Sequence, residues 1–192
     1  MANALVHGPW NWTDFVALDE ADRRELIEGD LVEVEVPTDI HEYVVTLLAF
    51  FLTGWARPRR AGFALVSGYK VRIGDRRGVM PDVQFYRAGN QATRGRQALE
   101  SGHPDLVIEV LSENSARYDR VTKLGYYAAI SVPEYWVVDP RGRTLERLVL
   151  EGDKYVIAAA AADQDVFRPD SFEGVEIALA ELWTIPEASA TY

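Results

Sequence analysis

Residues 104–112 read PDLVIEVLS, an apolar run with one carboxylate, Glu109, near its centre. Its length and its Val, Ile and Leu content suit a central strand with apolar side chains on both faces, and it is far too short to span a membrane. A charge buried there without a partner costs several kcal/mol or is forced to neutralise. Glu109 therefore requires a partner. An ion pair, a strand end open to solvent, or a metal ion would each serve.

The rest of the composition narrows the field. The 192 residues are 48% apolar and 11% aromatic, enough for a folded core, and the expectation is one domain over residues 1–192. There is no cysteine, so disulfides, zinc–thiolate sites and iron–sulfur clusters are excluded, and any metal must be held by oxygen or histidine. The start MANALVHGPW has no basic region followed by an apolar stretch, and no run approaches a spanning helix. A soluble, cytoplasmic protein with no membrane partner is expected. The net charge of −10 argues against a broadly basic surface. The charge is uneven, however: −6 over residues 1–62, +3 over 63–150 and −7 over 151–192. The only positive segment is the one that contains Glu109, which suits a local anionic substrate.

Pattern and punctuation give the elements. Thr13 is placed to cap a short helix through TDFVALDEADRR, and RELIEGDLVEVEV predicts a hairpin turning at Gly29. From Ile40, apolar residues recur at helical spacing through Tyr43, Val44, Leu47, Leu48, Phe51 and Trp55, until RPRR ends the helix. FALVSGYKVRI and VMPDVQFYR are expected as two strands around the turn GDRRG, with residues 88–103 as an exposed basic loop. After the central strand come a polar connection, SENSARYD, a helix through DRVTKLGYYAAI, the strand EYWVVD, and the strands TLERLVL and KYVIAAA. The acidic tail adds a short strand and a helical turn at ALAELW. The fold class expected is α/β, a mixed sheet flanked by helices.

Pleat arithmetic selects partners for Glu109. Asp105 shares its face but lies four residues away, ~13 Å at ~3.3 Å per residue, too far to share one ion. Asp82, in PDVQFY, lies on a different strand; if that strand neighbours the central one, ~5 Å away, the two carboxylates can meet. Paired carboxylates repel unless a cation or proton sits between them, and a hard divalent ion suits oxygen ligands. Lys123, on the helix after the central strand, can reach back over the strand's carboxyl end. Its ammonium could orient the attacking water and stabilise charge on a phosphate.

The segments ELIEGDLVE, PDV, PDLVIEVLS, D…K…Y and VPEYWVVDP, in this order, resemble the Uma-two family of restriction-endonuclease-like proteins, within the PD-(D/E)xK nuclease superfamily. The resemblance runs from about Thr13 to Trp183, and its block at residues 104–140 is specific. It implies a restriction-endonuclease-like αβββαβ core, with an N-terminal helix and hairpin and C-terminal strand additions. It also implies Mg²⁺- or Mn²⁺-dependent hydrolysis of DNA phosphodiester bonds. Asp82 matches the metal-binding aspartate and Glu109 the second acidic ligand, while Val110 would offer its backbone carbonyl to the ion. Glu25 matches an acidic position on the N-terminal hairpin that completes the site. The superfamily's lysine stands two residues after the glutamate, where this chain has Leu111. The family's displaced lysine is matched by Lys123.

Plainer readings exist for several of these residues. Glu109 can be a structural ion-pair partner, and Lys123 can pair with Asp119 on a helix surface for ~0.3 to 0.5 kcal/mol. Glu28 and Asp30 beside Glu25 are ordinary turn residues. His41 heads the long helix and could reach the site, but its plainer reading is a polar helix-start residue, and Tyr126, Tyr127, Tyr135 and Trp136 read as core or subunit contacts. Two functions in different classes follow: a metal-dependent endonuclease, expected as a homodimer because two sites cut two strands, and a non-cutting nuclease fold that serves as a binding or assembly module.

Overall fold

The computed structural model describes residues 5–113 and 115–186; the chain ends and Asn114 of the polar connection lie outside them. Its central element is a six-stranded sheet, ordered Lys154–Ala162, Thr144–Glu151, Glu134–Asp139, Leu106–Val110, Val83–Arg87 and Gly62–Val66. The pair Leu106–Val110 and Glu134–Asp139 is parallel, in register from Leu106↔Glu134 to Val110↔Val138, and the other pairs are antiparallel. Every residue of Leu106–Val110 is buried, as its continuous apolar sequence demands.

The two faces of this strand feed two cores. Leu106, Ile108 and Val110 pack with Val44, Leu48, Leu52 and Ala56 of the long helix Asp39–Arg59 and with Trp136 and Val138. That helix is capped by Thr38, whose hydroxyl accepts the His41 N–H, and it stops at Arg60 in the left-handed region (φ 52°). Val107 and Leu111 face the other way, onto Tyr127, Tyr135 and Val137.

A seven-stranded sheet is ordered Leu5–Val6, Asp30–Glu33, Arg24–Ile27, Arg77–Val79, Lys70–Gly74, Ala98–Ser101 and Thr93–Arg94, and a small third sheet pairs Val166–Phe167 with Ile177–Ala178. The expected hairpin is Arg24–Ile27 with Asp30–Glu33, and it turns through Glu28 and Gly29, both at positive φ (52° and 90°). The two long strands expected around GDRRG each divide between the sheets. Gly62–Val66 and Val83–Arg87 join the first, Lys70–Gly74 and Arg77–Val79 the second. Gly68 at φ 85° turns one crossing, and Pro81, which has no N–H for a ladder, marks the other. Asp82 consequently sits at the corner where the chain passes between sheets.

Other expectations need correction. The first helix is Trp12–Val16 and is capped by Asn11, which forms a reciprocal capping box with Asp14; Thr13 lies inside it. Residues 88–103 are not simply a loop, because Thr93–Arg94 and Ala98–Ser101 are strands and Leu99 is buried. The segment after the central strand begins as a π-helix, Tyr118–Lys123, and continues as the α-helix Leu124–Ala129. Among the described residues no helix is long and apolar enough to cross a membrane.

Candidate active site

Antiparallel pairing of Val83 with Ile108 carries Asp82 to the level of Glu109. Asp82 there accepts the Val110 N–H through Oδ2 at 2.7 Å. Asp105 is occupied at the other end of the strand, where its Oδ2 accepts from the Arg87 N–H and the Asn90 side chain, both at 2.7 Å. The sheet thus separates the two PD segments as the pleat requires.

Glu109 points to the face of Val107 and Leu111 and is only 1% exposed. Tyr127 Oη donates to its Oε1 at 2.5 Å, and Lys123 Nζ stands 3.1 Å from the same oxygen. Lys123 also lies 3.5 Å from Glu25 Oε1 and 3.4 Å from Asp119 Oδ1. Glu25 is held from both sides: its Oε1 accepts the Met80 N–H at 2.7 Å and its Oε2 accepts from Tyr118 Oη at 2.9 Å. The π-helical turn carries Tyr118, Asp119 and Lys123, and Asp119 and Lys123 are buried. Such wide turns recur where side chains must be re-aimed at a site.

The surface-pair reading of Lys123 and Asp119 is therefore wrong in its setting. Their side chains are 7% and 4% exposed, and the ammonium serves three carboxylates. Burial pushes the Glu109 carboxyl well above its ordinary range, and Lys123 only partly offsets this. Glu25 is raised for the same reason. Lys123 itself is lifted well above its usual value, because the attraction of Glu109, Glu25 and Asp119 outweighs its own desolvation. It is an ammonium at any physiological pH.

Asp82, Glu109, Val110, Glu25 and Lys123 all line one cavity of about 690 Å³, together with His41. His41 Nε2 is 3.3 Å from Asp82 Oδ2, and the ring also meets the backbone of Val110. Tyr118 and Tyr127 were not expected here from the sequence, and His41, which could reach the site from the head of its helix, reads more plainly there as a helix-start residue. His41 carried the one usable signal, three residues past a helix cap; Tyr118 is brought in by the π turn and Tyr127 by the α-helix that follows it.

The donor set fits a divalent ion in its charge and chemistry. Four carboxylates, Asp82, Glu109, Glu25 and Asp119, line one cavity with one lysine ammonium that contacts the last three, and buried surplus negative charge calls for a cation or for protons. Among the described residues, no group of three His, Asp or Glu side chains stands placed to hold an ion by itself. A backbone carbonyl and water would have to complete the shell, as is usual for Mg²⁺.

The mixed sheet, with Asp82 just before the strand Val83–Arg87, Glu109 on the neighbouring strand and Lys123 folded back onto Glu109, is the architecture of a nuclease-like fold. The chain belongs to the Uma2 family, described as "Putative restriction endonuclease", whose model matches residues 12–180. The fold is similar to the crystal structure of "a putative nuclease belonging to DUF820" from Anabaena variabilis ATCC 29413. The TM-score is 0.75 at 16% identity, covering 91% of this chain and 98% of that one. The sequence matches no curated protein.

Proposed function

We propose that the chain is a divalent-metal-dependent endonuclease that hydrolyses DNA phosphodiester bonds. The observation that carries this is the convergence of Asp82, Glu109, Glu25 and Lys123 in one cavity, three of them buried to within 6% exposure or less. Asp82, Glu109 and the Val110 carbonyl are the proposed holders of Mg²⁺ or Mn²⁺. When bound, such an ion polarises the phosphate and makes water a better nucleophile.

The chain's own groups do the remaining work. Lys123 stays protonated, so it donates hydrogen bonds and stabilises negative charge and cannot act as the base. Glu25, made more basic by burial, stands 3.5 Å from that ammonium and can take up the proton released by the attacking water. Tyr127 and Tyr118 fix the two carboxylates by hydrogen bonds, so neither has to reorganise during reaction.

One observation favours the second reading, a fold that binds without cutting. Lys123 is already engaged by three carboxylates. The homodimer stays within the proposal, but Tyr127, Tyr135 and Trp136 are core rather than subunit contacts, because they are fully buried. Incubation of labelled DNA with the protein and Mg²⁺ or Mn²⁺ tests the activity. Cleavage that EDTA and Asp82→Ala both abolish supports it, and no cleavage with either ion favours the binding module.

A further inference from the structure

The long helix Asp39–Arg59 buries one face against the central strand and leaves the opposite face bare. Glu42, Thr46, Phe50, Thr53 and Arg57 are exposed there and recur at spacings of three and four residues, so they form one stripe along the helix. Phe50, in the middle of that stripe, is 67% exposed. Beside it lies a hollow of about 290 Å³, walled by Phe51, Gly54, Trp55 and Val175. Glycine is a poor helix former, and a Cβ at Gly54 would meet nothing within 4 Å, so no contact within the chain requires glycine there. A backbone left bare in mid-helix, next to an exposed ring, suits the close approach of another surface.

We infer that a second copy of the chain docks on this face, with the two helices antiparallel about a two-fold axis between Ala49 and Phe50 and each Phe50 seated in the other copy's hollow. Self-complementarity identifies the occupant. An axis at that point brings Glu42 level with the partner's Arg57, and Thr46 level with the partner's Thr53. The acidic first turn, Asp39 and Glu42, thereby meets the basic last turn, with Arg57 and Arg59, at both ends of the contact. A parallel pairing would set like charges together. Side chains on a helix lean toward its N-terminus, which in an antiparallel pair is toward the partner's C-terminal half. Phe50 therefore leans toward the partner's Gly54. A cavity of about 150 Å³ is enough for benzene, so the hollow has room for the ring.

This places the interface of the homodimer without resting on the metal or on cleavage. It also changes the charge around the cavity. Glu20, Glu33, Glu35 and Glu42 line that cavity, against Arg23 as its one arginine. The partner's Arg57, level with Glu42, lends positive charge to a mouth through which, on the reading above, a phosphate backbone enters.

Light scattering of the full chain during gel filtration tests the inference. The parent is expected at twice the 21.5 kDa mass of the chain at tens of micromolar. Gly54→Leu fills the hollow and is expected to leave only the monomer, folded by circular dichroism, because its Cβ meets no neighbour in the chain. Glu42→Arg should weaken the dimer by ~10-fold or more, and adding Arg57→Glu should restore it. The chain has no cysteine, so Ala49→Cys puts a single thiol beside the axis. A short bis-maleimide is expected to join two copies there, and not at Val121→Cys, which is exposed on the π-helical turn across the sheet. A monomeric parent overturns the inference, as does a dimer that persists unchanged in Gly54→Leu. If Gly54→Leu fails to fold, the cross-link decides, and no joining at Ala49→Cys overturns it. Each of these failures leaves the nuclease reading intact, because neither metal nor substrate enters the measurement.

Discussion

Lys123 Nζ lies 3.1 Å from Glu109 Oε1, and the pair is sealed between the central strand and the π-helical turn. The same ammonium also lies within ion-pair distance of Glu25 and Asp119, so its removal leaves the buried acidic cluster without its cation. Lys123→Ala is expected to cost about 3 to 5 kcal/mol, the range for breaking a buried ion pair from one side. A surface i,i+4 pair would cost only ~0.5 kcal/mol. Urea denaturation distinguishes the two, and a loss below ~1 kcal/mol would contradict the buried geometry.

The Glu109 carboxyl gives a prediction of opposite sign. Burial raises it well above 4.5, so the folded chain holds its proton more tightly than the unfolded chain does. As pH rises past 4.5 the unfolded chain ionises first, and stability tied to this group falls until the folded carboxyl ionises too. Glu109→Gln removes that loss while leaving Glu25 and Asp119 beside Lys123. Thermal denaturation should show the variant more stable than the parent at neutral pH, with the advantage shrinking to nothing below pH ~4.5. A variant less stable than the parent at neutral pH would show that the ionised carboxylate is a net stabiliser here.

Tyr127 donates to Glu109 at 2.5 Å and is fully buried. Tyr127→Phe keeps the ring against Tyr135 and deletes only the donor. A loss of about 1 to 3 kcal/mol is expected in chemical denaturation, the cost of leaving a buried acceptor short of one bond.

How much of this could be read beforehand depended on the length scale of each signal. Glu109 within PDLVIEVLS announced itself because a carboxylate in a strand apolar on both faces has few physical explanations. The hairpin around Gly29 and the helix from Ile40 followed from turn chemistry and 3.6-residue spacing, and both formed as expected. The division of two strands between two sheets did not, because their hydrophobic pattern continues through the corner and only Gly68 and Pro81 mark it. The burial of Lys123 was hidden for a different reason. Asp119 and Lys123 are four apart, which reads as a solvated helix pair, and nothing in YDRVTK signals that the turn widens and rolls both side chains inward. His41 was similarly ambiguous. A polar residue in a first helical turn is ordinary until the corner at Asp82 is known to face it.

Divalent ions should also stabilise the fold through Asp82. A ligand that binds only the folded chain adds about 2.7 kcal/mol at a concentration 100 times its Kd. Thermal scans with and without Mn²⁺ are expected to show an upward shift in the parent and none in Asp82→Ala, whose Val110 N–H loses its acceptor but whose cores are untouched.

The central claim is that Asp82 and its neighbours form a metal site, and calorimetric titration of Mn²⁺ and Mg²⁺ into the parent and Asp82→Ala tests it most directly. The account predicts saturable binding in the parent that is abolished in Asp82→Ala while the variant remains folded. Equal binding by both proteins, or no binding by the parent with either ion, would contradict it.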